Sequence, residues 1–204
     1  KYEGERIAGR QMVDILNVMD WDYFVIGNHE FDLKEADMRK RCQEAEFSIV
    51  ADNLTDLNGS LFPNTHPGHR FAVDGIEIGL IGLTLDTYNF KYAKVADPIA
   101  AGQAQARQLK AAGADVVVAL PHLAIQQDIE LAVAEPMIDL IMGGHDHENF
   151  YLKRGVTQTP ITKADANAKT AFVHHLSYDT ETEHLEIESE LIVIDDTIAK
   201  DPMI

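Results

Sequence analysis

Three apolar runs in this 204-residue chain stop at glycine or proline and pass at once into side chains that are mostly able to bind metal ions. "YFVIG" leads to Asn28, His29 and Asp32, "VVVALP" to His122, and "DLIMGG" to His145, Asp146 and His147. Neutral imidazole is a ligand for zinc, manganese, iron or nickel, and an amide oxygen or carboxylate suits the harder of these ions. His145 and His147 are two apart, which in an extended segment sends both rings to one side. Gly143 and Gly144 are read as backbone freedom that brings them close.

Each motif also has a plainer reading. "PH" at a strand end can be a turn histidine, and "GNHE" an Asx-type turn. "GGHDH" is harder to explain that way, because two histidines after paired glycines have little structural purpose. Their shared position joins the three: in open α/β sheets, sites lie outside the carboxyl ends of strands. The remaining histidines carry no such weight. His66 and His69 fall in a long loop and His184 in an acidic turn, while His174 and His175 point to opposite faces of one strand.

The elements that must position these groups follow from periodicity. Apolar residues at three- and four-residue spacings predict a helix from Glu5 to Met19, and further helices at 33–45, 98–112 and 125–134. "YFVIG", "FSIVADN", "ADVVVALPHL" and "IDLIMGG" predict buried strands. Residues 54–69 read as an irregular loop, and "RFAVDGIEIGLIGLT" as a hairpin turned at Asp74-Gly75. Three strands beyond Phe150 complete an α/β pattern, largely parallel first and antiparallel at the end.

Composition narrows the function. With 34 acidic and 17 basic residues, the chain carries a formal net charge of −17, which repels polyanions and argues against a nucleic-acid polymer as partner. A small phosphorylated substrate remains compatible if a local cation offsets the field. The single cysteine, Cys42, excludes an intrachain disulfide, and no apolar run has the length of a membrane span.

The motifs "GNHEFD" at 27–32, "PHL" at 121–123 and "GGHDHE" at 143–148, in this order, resemble the calcineurin-like metallophosphoesterases. Within them they resemble the branch of 5′-nucleotidases, UDP-sugar hydrolases and cyclic-nucleotide phosphodiesterases. "VADN" at 50–53 and "TPITKADANAKT" at 159–170 add softer similarity. The resemblance implies an α/β fold of two packed mixed β-sheets flanked by helices, and two divalent metal ions such as manganese, zinc or iron. By the same likeness, Asn28, His122 and His145 would bind one ion and His147 the other. His29 would act on the transition state, oriented by Asp32. The implied reaction is two-metal hydrolysis of a phosphate ester, most plainly of a nucleotide. Two rivals stand beside it: a sulfur-ester hydrolase with the same metal cage, and a non-catalytic domain holding a single ion. Lys163, Asp165 and Asn167 could line the rim, although an ordinary strand end is the preferred reading.

The family pattern also includes an Asp-x-His motif on its first strand and a later Gly-Asp pair, and neither precedes Asn28 here. The expectation is a single metallophosphoesterase domain over residues 1–204, shortened at its amino end and lacking its first strand. A carboxyl-terminal nucleotide-specificity domain is expected outside it, and a periplasmic or extracellular location follows from the resemblance.

Overall fold

The structure is a computed structural model that describes residues 7–200. Helix α1 (Arg10–Val18) is followed by β1 (Tyr23–Phe24), a 3-10 turn (Asn28–Asp32), α2 (Glu35–Glu44), β2 (Ser48–Val50), β3 (Leu54–Asp56) and β4 (Thr65–His66). The hairpin β5 (His69–Val73) and β6 (Ile76–Thr84) leads through β7 (Ala93–Val95) to α3 (Pro98–Ala111), β8 (Val116–His122) and α4 (Ile125–Ala134). Strands β9 (Leu140–Gly143), β10 (Phe150–Arg154), β11 (Thr159–Lys163), β12 (Thr170–Asp179) and β13 (His184–Val193) complete the order. The start of the helix expected from Glu5 lies outside the described residues.

The mixed α/β architecture is as expected. A six-stranded sheet runs β10-β11-β9-β8-β6-β5, with β6, β8, β9 and β11 mutually parallel and an antiparallel strand at each edge. A parallel three-stranded sheet, β1-β2-β4, and two antiparallel pairs, β3-β7 and β12-β13, account for the other strands. Strands β3, β4 and β7 fall where an irregular loop or no strand was expected. They are two or three residues long, too short for a period-2 pattern to register. The hairpin turns as read: Asp74 and Gly75 both have left-handed φ, 53° and 86°, the requirement of a two-residue primed turn.

Burial explains the layering. Helices α3 and α4 cover one face of the large sheet, where Leu83, Leu131, Ile141 and Ile161 are wholly buried. Asp97 caps α3 by accepting from Ala100 N at 2.9 Å, with Pro98 opening the helix. On the opposite face, Leu80, Val116, Val118 and Leu140 pack against Tyr178, Leu185 and Ile187 of the β12–β13 hairpin. A separate core forms where α2 meets the small sheet, around Ile26, Met38, Phe47 and Ile49. No helix among the described residues is long and apolar enough to cross a membrane.

Two polar residues join the sheets. Asp52 Oδ2 accepts from Gly82 N at 2.7 Å, and Asn53 exchanges bonds with Thr84, accepting from its N at 2.9 Å and donating to its O at 2.7 Å. Thr84 Oγ1 in turn donates to Ile26 O at 2.8 Å. The end of the small sheet is thereby fastened to the end of β6, beside β8.

Candidate functional site

Register and these crosslinks determine what meets what. Parallel pairing sets Thr84 of β6 opposite His122 of β8, and Gly143 of β9 opposite Lys163 of β11. Leu85 N donates to His122 O at 3.1 Å and Gly144 N to Pro121 O at 3.0 Å, so the segments leaving β6, β8 and β9 are laced together. Because Thr84 also holds Ile26, the residues after Gly27 arrive at the same place. Loops far apart in sequence therefore converge at one edge.

Asn28 and His122, 94 residues apart, stand with Oδ1 3.0 Å from Nε2. Asn28 is buried. The rings of His122 and His145 have centroids 5.3 Å apart, nearly edge to face. Burial is the main reason that the His122 pKa falls to about 4, with the neighbouring His145 adding to it, and burial also lowers that of His145. Both rings are therefore neutral near pH 7, the form in which imidazole binds metals. His147 is exposed but near enough to lower both pKa values electrostatically.

His29 and Asp32 form a second group on the 3-10 turn. Nδ1 of His29 donates to Asp32 Oδ2 at 2.8 Å, and this bond is the first cause of a raised His29 pKa. Both side chains are largely exposed, 72% and 76%, which leaves Nε2 of His29 open to a ligand. A pocket of about 700 Å³ opens beside them, lined among others by Asn28, His29, Asp32, Lys34, Tyr88 and Lys91. Phe31 and Phe90, stacked at 4.1 Å, also line it.

The glycines at this edge act by making room. The backbones of Gly143 and Gly144 have no left-handed φ; the left-handed residues are His145 (82°) and His147 (63°) themselves. A Cβ on Gly27 would stand 2.7 Å from His122 Cε1, and one on Gly144 3.3 Å from its Nδ1, so the ring lies between two bare backbones. A Cβ on Gly143 would reach 2.9 Å from both Lys163 Cε and Asp128 Oδ2. This corrects the reading of the paired glycines as sources of backbone freedom.

Lys163 is the residue that sequence reasoning undervalued. It is 1% exposed, and its Nζ donates to Leu123 O at 2.6 Å, Gly144 O at 2.7 Å and Asp146 Oδ2. Asp128 Oδ2 lies 2.7 Å from Nζ but outside hydrogen-bond alignment. Burial raises the Asp128 pKa to about 7 against the pull of Lys163. The signal in the sequence is a lysine ending an apolar strand, and its acidic partners Asp146 and Asp128 are 17 and 35 residues earlier. Glu30 was also missed: its Oε2 accepts from Gly27 N at 2.8 Å and secures the turn that carries Asn28. Asp165 instead pairs with Asn149 and Thr170, and Asn167 is exposed with a left-handed φ of 62°.

The gathered set fits one divalent ion by its donor chemistry: two neutral imidazoles and an amide oxygen, with ring space kept clear by glycine. Among the described residues, no group of three or more His, Cys, Asp or Glu side chains is placed to hold an ion. The distant histidines stay apart from the site. His174 bonds Ser189 at 2.9 Å and Thr162 at 3.3 Å, His69 packs on Tyr23 at 5.1 Å, and His66, His175 and His184 are exposed.

No known protein-family model matches the chain. The NAD 5′-nucleotidase of Haemophilus influenzae is 32% identical over 142 residues, 65% of this chain and 23% of that protein. The uncharacterized metallophosphoesterase YunD of Bacillus subtilis is 32% identical over 149 residues, 70% of this chain and 32% of that protein. The crystal structure of a 5′-nucleotidase precursor from Thermus thermophilus superimposes with a TM-score of 0.77 at 22% identity, covering 93% of this chain and 42% of that one; the likeness is one of fold. The chain thus spans about a quarter to a third of the length of these curated relatives.

Proposed function

Because the chain belongs to the metallophosphoesterases, among relatives that include 5′-nucleotidases, we propose that it is the metal-binding domain of a hydrolase that cleaves phosphate esters of nucleotides. The observation that carries the reading is the approach of Asn28 Oδ1 to His122 Nε2 at 3.0 Å beside the His145 ring. The two atoms come from segments 94 residues apart. Asn28, His122 and His145 would hold one divalent ion, manganese, zinc or iron, and His147 is left to contribute to a second. A bound ion supplies Lewis-acid polarisation of a phosphoryl oxygen and lowers the pKa of water.

The chain's own residues supply the rest. Asp32 orients His29 through Nδ1 and favours its protonated form, so Nε2 can give a proton to the departing ester oxygen. Lys34 and Lys91 at the pocket wall oppose the negative field of the chain and attract an anionic substrate. Residence in the periplasm or outside the cell belongs to the same proposal and rests on family membership.

The test is phosphate release from 5′-AMP and p-nitrophenyl phosphate after loading with Mn²⁺, run on this chain and on the full product of its gene. Hydrolysis is expected from the full product. Binding of one ion with no turnover by either would favour a non-catalytic domain, and turnover confined to sulfur esters would favour the related sulfur-ester chemistry.

A further inference from the structure

We propose that Lys163 is a positioning residue whose buried ammonium clamps the His122 and His145 segments together independently of any metal ion. The inference rests on the reading of those histidines as ligands, and it concerns how they come to face one another. An ammonium has three hydrogens to donate, and Lys163 directs them to Leu123 O, Gly144 O and Asp146 Oδ2. Leu123 is the residue after His122, and Gly144 and Asp146 lie on either side of His145. One charge therefore grips both histidine-bearing segments, next to each ligand rather than at a distance.

Two further observations favour positioning over mere core filling. His145 sits in the left-handed region at φ 82°, which costs a non-glycine residue energy and persists only where the surroundings impose it. The grip on residues 144 and 146 is such an imposition. In addition, burying one lysine with Asp128 at 0% exposure and Asp146 at 21% is an expensive way to fill a core. Apolar replacement of buried ion pairs is often neutral or stabilising, so stability alone does not account for this cluster. Gly143 belongs to the device, because its missing side chain is what admits the lysine stem.

The experiment compares Lys163→Met, Asp146→Asn and Gly143→Ala with the unaltered chain. Gly143→Ala displaces the ammonium without changing any charge. Two quantities are measured on variants shown to be folded by circular dichroism: the proton NOE between the His122 and His145 rings in metal-free protein, and Co²⁺ affinity by calorimetry. The unaltered chain is expected to show the NOE. All three variants should lose it and bind Co²⁺ about 10–100-fold more weakly, the range seen when groups that orient metal ligands are removed. If Lys163→Met does not fold, the other two variants decide. Folded variants that retain the NOE and bind within about threefold of the original would overturn the proposal. An unaltered chain that shows the NOE but binds no Co²⁺ would instead overturn the cation reading of the site; the clamp is judged by the NOE.

Discussion

The His122 ring lies flat against the backbone of Gly27, so close that a Cβ there would stand 2.7 Å from Cε1 and 2.9 Å from each ring nitrogen. Gly27 has φ −92° and ψ −179°, which any residue adopts. The glycine is therefore needed for space. Gly27→Ala should push the ring off its neighbours and weaken Mn²⁺ binding about tenfold or more. Overpacking at this position should also cost about 1–3 kcal/mol in thermal or urea unfolding. Calorimetric titration of Mn²⁺ alongside the melting curve separates the two effects.

His29 and His145 should respond differently to truncation. His29→Ala removes the proposed proton donor and should lower turnover about 10²–10⁴-fold while leaving bound metal unchanged. His145→Ala should lose metal and turnover together. Metal content by atomic emission, beside initial rates on p-nitrophenyl phosphate, makes the comparison; equal loss of metal in both variants contradicts the assigned roles.

Asp52 makes a prediction about stability and pH. Burial raises its carboxyl pKa from 3.8 to about 7, against backbone hydrogen bonding, chiefly from Gly82 N to Oδ2, that lowers it. A raised folded-state pKa means that the folded chain holds a proton where the unfolded chain has released it. The stabilisation is present in full below about pH 4 and is lost as pH rises through about 7, with a slope of at most about 1.4 kcal/mol per pH unit. Asp52→Asn keeps an acceptor for Gly82 N and cannot ionise. It should flatten this part of the urea-unfolding profile between pH 4 and 8 and gain relative stability at the upper end. A variant whose profile runs parallel to the original throughout would show that Asp52 does not titrate in this window.

Much of the site was legible because strand, glycine and histidine recur in the order that an α/β sheet turns into an edge. That ground gathers Asn28, His29, Asp32, His122, His145, Asp146 and His147; the narrower set of Asn28, His122 and His145 comes from the family resemblance, and Asp74-Gly75 announces its hairpin by turn chemistry. What the sequence hid was tertiary. Lys163 looks like a strand end because its partners come from α4, the 121–123 segment and the 143–147 segment, none of them near it in the chain. In sequence the paired glycines read as backbone freedom because φ is the usual reason for glycine in a turn, whereas in the structure neighbouring side chains crowd the missing Cβ positions. Strands β3, β4 and β7 are held by pairing partners rather than by their own pattern.

The central claim is that Asn28, His122 and His145 share one cation. Crystals soaked in MnCl₂ and measured across the manganese absorption edge test it most directly. The expected result is an anomalous peak within bonding distance of Asn28 Oδ1 and both imidazoles, absent in crystals of His122→Ala. Manganese bound only elsewhere, or a peak that persists at this position without His122, would contradict the account.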